Sequence, residues 1–137
     1  MALIALQTAS RVEVVESVEQ LTGVAAETIV PGACVRIDTS TGKITNGNGT
    51  SAAEARIYGI ALGTHDIPAG MPVTVMRVGV LDGFTFTQNY DAAMYASDTD
   101  GRLGDAAGTV SVLVGRIIPG NSELLGGAFA KLLHVHL

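Results

Sequence analysis

The sequence predicts a small all-β domain. Its apolar runs are short and rich in Val, Ile and Thr, seventeen glycines and four prolines punctuate them, and one pattern of strand, turn and strand occurs twice. The centre is the stretch Ile57–Phe84. Ile57–Leu62 reads as a short strand closing on Gly63, and Val73–Leu81 as a longer, β-branched one. Between them, Asp66-Ile67-Pro68-Ala69-Gly70 carries the residues that reverse a chain.

From the beginning, residues 1–10 run from the apolar Met1-Ala2-Leu3-Ile4-Ala5-Leu6 to Gln7-Thr8-Ala9-Ser10. Such a start is either a strand added to a sheet or an arm reaching a neighbour, and the looseness of undocked termini favours the arm. Arg11–Leu21 is ambiguous. Val14, Val15, Val18 and Leu21 fit a helical stripe, whereas Val12 and Val14 alternate with Arg11 and Glu13 as in a strand. The valines tip it toward extended chain. Residues 1–26 thus form an arm or peripheral segment, and 27–137 a β-domain of two similar units.

Ile29-Val30-Pro31-Gly32 is a strand end with its turn. Ala33–Asp38 is a strand with Val35 and Ile37 on one face, Thr39–Lys43 a turn, and Lys43–Thr45 the start of a return strand. Asn46-Gly47-Asn48-Gly49-Thr50-Ser51 is a loop; it lacks the Lys-Ser/Thr ending and following helix of a phosphate loop. Beyond the central pair and Thr85–Asn89, polar apart from Phe86, the pattern returns. Ala33, Val35, Gly42, Lys43 and Ile44 reappear 59 residues on as Ala92, Met94, Gly101, Arg102 and Leu103. Each copy leads to a strand with a central glycine, Ile57–Ala61 and Leu113–Ile117. Two copies are too few for a solenoid. After Leu124-Leu125 and Gly126-Gly127, Phe129–Leu137 is a last strand on which Leu133, Val135 and Leu137 alternate with His134 and His136.

Composition narrows the function. At 137 residues the chain is one domain; 47% of it is hydrophobic and only 15% charged, against roughly 25% in ordinary soluble proteins. So apolar a small domain implies surface covered by other chains. The net charge is −5 and the eight basic residues form no run, which argues against nucleic acid as a partner. Cys34 is the sole cysteine, so no internal disulfide forms; it reads as a small buried apolar residue made in a reducing cytoplasm. The opening run lacks a basic n-region and is too short for a signal peptide, and no window approaches the roughly 18 apolar residues of a membrane span.

Candidate chemistry is sparse. His134 and His136, at i and i+2, share a strand face and have the spacing to share a metal, but no acidic or Cys ligand is near them in sequence. Asp98-Thr99-Asp100-Gly101 resembles part of a calcium loop yet lacks the closing Glu, and its residues are those of turns. His65-Asp66 sits in the central turn, but there is no Gly-x-Ser-x-Gly elbow. Tryptophan is absent and aromatics are 4%, which leaves little stacking surface for sugars or bases. Neither catalysis nor a cofactor is expected.

Taken together and in order, several segments resemble the capsid decoration, or cement, proteins of tailed bacteriophages. They are Ile29–Val35, Tyr58–Leu62, Ile67–Val75, Arg77–Val80, Tyr95–Leu103 and Val114–Ile117. The resemblance implies a β-clip or β-tulip barrel or sandwich with an extended N-terminal arm. It also implies homotrimers at three-fold positions outside an expanded icosahedral shell, bridging major capsid protein subunits, with no nucleic acid or membrane partner. In that group an N-terminal arm touches the shell; the matching residues here are Met1, Ala2, Leu3, Ile4, Ala5 and Leu6. Localisation would be the outer surface of the virion, after synthesis in the host cytoplasm. The central turn and Val-Thr-Val also resemble β-clip modules that bind small ligands such as sugars, and a head-fibre or tail subunit is a third reading.

Overall fold

A computed structural model describes residues 2–123 and 127–137. Among these the chain is all-β, with eleven strands and no helix. They are β1 (Ala5–Leu6), β2 (Glu13–Val24), β3 (Cys34–Ile37), β4 (Ile44–Asn46), β5 (Gly59–Ala61), β6 (Pro72–Asp82), β7 (Phe84–Thr85), β8 (Ala93–Ala96), β9 (Leu103–Gly104), β10 (Leu113–Glu123) and β11 (Phe129–His136). Met1, Leu124, Leu125 and Gly126 lie outside the described residues. The accessible surface, 6828 Å², is close to the roughly 6,700 Å² of a compact 14-kDa monomer.

The main sheet runs β4-β3-β5-β6-β11-β10-β8-β9 and curls into a half-barrel. Its order repeats. β3 pairs with both β4 and β5, and β5 with β6; β8 pairs with both β9 and β10, and β10 with β11. Registers match as well: Val35 faces Gly59 where Met94 faces Gly115, and Ala61 faces Val75 where Ile117 faces Leu133. Strand β6 joins the halves. Its first part pairs with β5 at Val75 and Met76, its second with β11 from Val78 to Leu81, and β2 runs along it from Asp82 back to Pro72.

Gly59 and Gly115 are required by close approach. A Cβ at Gly59 would lie 2.2 Å from the Met76 carbonyl oxygen, and one at Gly115 2.0 Å from that of His134. The two glycines and the two opposing residues hold equivalent places in the halves, so the same device lets the strand backbones close up twice.

Two apolar clusters form the core. One gathers Cys34, Ile60, Met76, Leu81, Met94, Ile117, Leu133 and others; the second holds Ile29, Val35, Ile44, Ala61, Val73 and Val75. Successive residues of β3, β5 and β6 go to opposite clusters, Cys34 to one and Val35 to the other. These strands are therefore buried on both faces over part of their length. That explains one departure from the alternation expected of residues 33–38: Val35 is buried but Ile37, at the strand's end, is exposed. Of the ambiguous residues 11–21, Glu13–Leu21 are extended, within β2.

Cys34 is fully buried, and desolvation pushes its thiol up to about 12. We therefore expect no reaction with an aromatic disulfide reagent at pH 8 in the folded protein and full reaction in denaturant. Rapid labelling of the native thiol would contradict this packing.

Candidate interaction surface

The opening residues lie against the body as strand. Ala5 and Leu6 pair with Thr85 and Phe84, the Ile4 amide donates to the Leu103 carbonyl at 2.9 Å, and Arg102 donates to the Ile4 carbonyl at 3.3 Å. Ile4 is buried in the larger cluster and Leu6 packs at its edge. Of the six residues matched to a shell-contacting arm, Ala2, Leu3 and Ala5 are the exposed ones, Ile4 and Leu6 face inward, and Met1 lies outside the described residues.

Asp105 fastens this segment. Its carboxylate accepts from the Ala2 amide at 2.8 Å and the Gln88 amide at 3.2 Å. These two contacts, the first foremost, hold its carboxyl below the ordinary 3.8. A depressed folded-state pKa means the contact contributes fully above the unfolded value of about 3.9 and is lost as pH falls through the lower folded one. A carbon-13 titration of Asp105 should thus have its midpoint below 3.8, moving upward in Gln88→Ala. A midpoint at or above 3.8 would show that the segment is not held this way.

The most exposed apolar surface is β2. Val14, Val15, Val18 and Val24 are all exposed, Val15 at 56% and Val18 at 67%. Among the described residues β2 pairs only with β6, so its outer edge offers unpaired backbone groups. Three register irregularities, at 14/16, 17/19 and 19/20, break the simple two-residue alternation, and Glu13, Glu16 and Glu19 are exposed among the valines. Bulges and charges of this kind keep an open edge from pairing with copies of itself at random.

An open groove of about 440 Å³ runs between the first strand and the turns at 30–33 and 100–103, floored by Ile4, Leu6, Phe84 and Leu103 with Asp100 and Arg102 at its rim. A second concavity, about 680 Å³, holds Arg36, Arg56 and Arg77 around Tyr58. Sequence reading passed over this cluster because its members stand about twenty residues apart; only the pairing of β3 with β5 and β5 with β6 assembles them.

The candidate chemical residues have structural partners. His134 and His136 share a face, their rings parallel within 5° and 6.0 Å apart, and no group of three His, Cys, Asp or Glu side chains gathers for a metal among the described residues. Asp98 caps the 109 turn, accepting from the Thr109 amide and hydroxyl at 2.8 Å each, while Asp100 accepts from Asn48 at 3.1 Å. Asp66 accepts from the Ser10 hydroxyl, tying the first strand's exit to the central turn, and His65 lies within 3.4 Å of the Thr64 hydroxyl. No protein-family model matches the chain, and no curated protein matches it significantly.

Proposed function

We propose that this protein is a structural attachment subunit of a bacteriophage virion, docking on the outside of an icosahedral shell as trimers at three-fold positions and stabilising the expanded shell. The observation that carries the reading is β2, a twelve-residue strand with exposed valines and an open edge on an otherwise well-packed body. An apolar patch of this kind marks an interaction site. The ordered segments that resemble those of decoration proteins support the major capsid protein as the partner. Burial of about 25 cal/mol per Å² over a few hundred Å² per copy is modest after association costs, but it accumulates when one subunit bridges several shell subunits.

The exposed Ala2, Leu3 and Ala5 supply a second contact at the opposite side of the strand pair β1–β7 from the core. Electron cryomicroscopy of expanded shells incubated with the protein tests the proposal. Added density at the three-fold positions on the outer face of the shell is expected; density elsewhere, or none, would overturn it. The groove beside Phe84 favours a second reading, a ligand-binding module. Saturable binding of a sugar there, with bare shells, would replace the first.

A further inference from the structure

We propose that the concavity formed by Arg36, Arg56 and Arg77 is a carboxylate-binding site for an acidic, partly apolar peptide segment of a protein partner. Three of the eight basic residues of a chain with net charge −5 converge there, and no Asp or Glu lines the hollow. Among the described residues only Arg36 has an internal carboxylate, that of Glu54; three like charges with one such partner leave an excess of positive charge that an incoming anion relieves.

The guanidinium groups are held ready. Arg36 donates through Nε to the Glu54 carboxylate at 3.2 Å, and Arg77 donates through Nε to the main-chain oxygen of Leu137 at 3.1 Å. Arg77 also lies over the Tyr58 ring, 5.0 Å from its centroid. Both side chains are thus anchored by the inner nitrogen, and their terminal Nη groups have no hydrogen-bond partner among the described residues. That is the edge of the guanidinium that grips a carboxylate with two parallel bonds. Arg56 is exposed, with no ion pair among the described residues. Anchoring beforehand lowers the ordering cost that binding would otherwise bear.

The surroundings select the ligand. Ile37 and Ile57 line the hollow beside the arginines, so a segment that mixes acidic and aliphatic side chains fills it better than a bare anion. A nucleic acid fits poorly. Its evenly spaced phosphates need a basic track, whereas Arg11, Lys43, Arg102, Arg116 and Lys131 do not line this hollow, and one face of Tyr58 is already taken by Arg77. The site goes beyond the attachment reading by assigning the partner a recognition chemistry, and it is testable without a shell.

The test follows the arginine side-chain resonances of the full chain by NMR at low salt, titrated with a blocked Val-Glu-Val-Glu-Val-Glu peptide. Saturable shifts at Arg36, Arg56 and Arg77 are expected, weakening as salt rises. Arg56→Glu, at an exposed position that leaves the fold intact, should weaken binding about tenfold or more, as befits a lost charge-assisted bond. The Val-Gln counterpart should not bind. No saturable shift into the millimolar range, equal binding of the Gln peptide, or equal binding by Arg56→Glu would overturn the site. Tighter binding of inorganic phosphate or of a single-stranded oligonucleotide would overturn the peptide assignment. A chain that binds the peptide but no shell keeps this site and loses the attachment reading; one that binds shells but not the peptide does the reverse.

Discussion

Gly115→Ala is expected to destabilise the protein by roughly 3 kcal/mol or more, because an added methyl cannot be accommodated without parting two strands. The new Cβ would lie 2.0 Å from the His134 carbonyl oxygen and 2.9 Å from its carbon, and both are backbone atoms that no rotamer change can move. Relief requires shifting β10 away from β11 where the pair packs Ile117 and Leu133 into the main core. Gly59→Ala should cost a similar amount, since the Met76 carbonyl stands in the matching place at 2.2 Å. Gly42→Ala is the control. Its φ is +73° but nothing lies within 4 Å of its Cβ, so only the left-handed backbone is strained, at about 1–2 kcal/mol. Denaturant melts of the three variants check this ranking. Equal losses at all three positions would mean that backbone conformation matters there more than strand approach.

The second large effect concerns attachment, with folding left alone. Val15→Lys combined with Val18→Lys changes two side chains already in solvent, so folding stability should move by no more than about 0.5 kcal/mol per site. If β2 is the docking strand, each valine is buried in the complex and its loss costs about 2 kcal/mol, with two lysines to desolvate besides. Shell affinity should fall on the order of a thousandfold. Placing lysines at 56% and 67% exposed positions separates the two outcomes cleanly.

The elements legible in the sequence were those whose signals are local. The turn at Gly42 and its counterpart at Gly101 both adopt positive φ, and glycine in a polar turn announces this directly. The alternation of Leu133 and Val135 with His134 and His136 gave β11 its inner and outer faces. The 59-residue spacing located β3 and β8, but not that β6 and β11 take equivalent fourth positions, because Thr74-Val75-Met76 and Leu132-Leu133-His134 share little beyond a central aliphatic residue.

What was not legible depends on pairing across the sheet. Residues 11–21 are ambiguous in sequence because their valines fit both a helical stripe and a strand alternation, and in the structure Glu13–Val24 form β2, largely exposed yet paired with β6 along its length. The opening run reads as an arm because undocked termini are loose, yet Leu103 and Arg102 fix the Ile4 backbone from about a hundred residues away. The arginine hollow left no trace in sequence for the same reason. Absence of a basic run excludes a linear basic track, and says nothing of cations that three adjacent strands bring together.

The central claim is that β2 is the strand by which this protein attaches to a shell. Co-sedimentation with expanded shells of a tailed-phage major capsid protein tests it most directly, with the intact protein and the Val15→Lys, Val18→Lys variant run side by side. Saturable binding of the intact protein, and none of the folded variant, is the predicted result. Equal binding of both would remove β2 from the interface, and failure of the intact protein to bind would contradict attachment altogether.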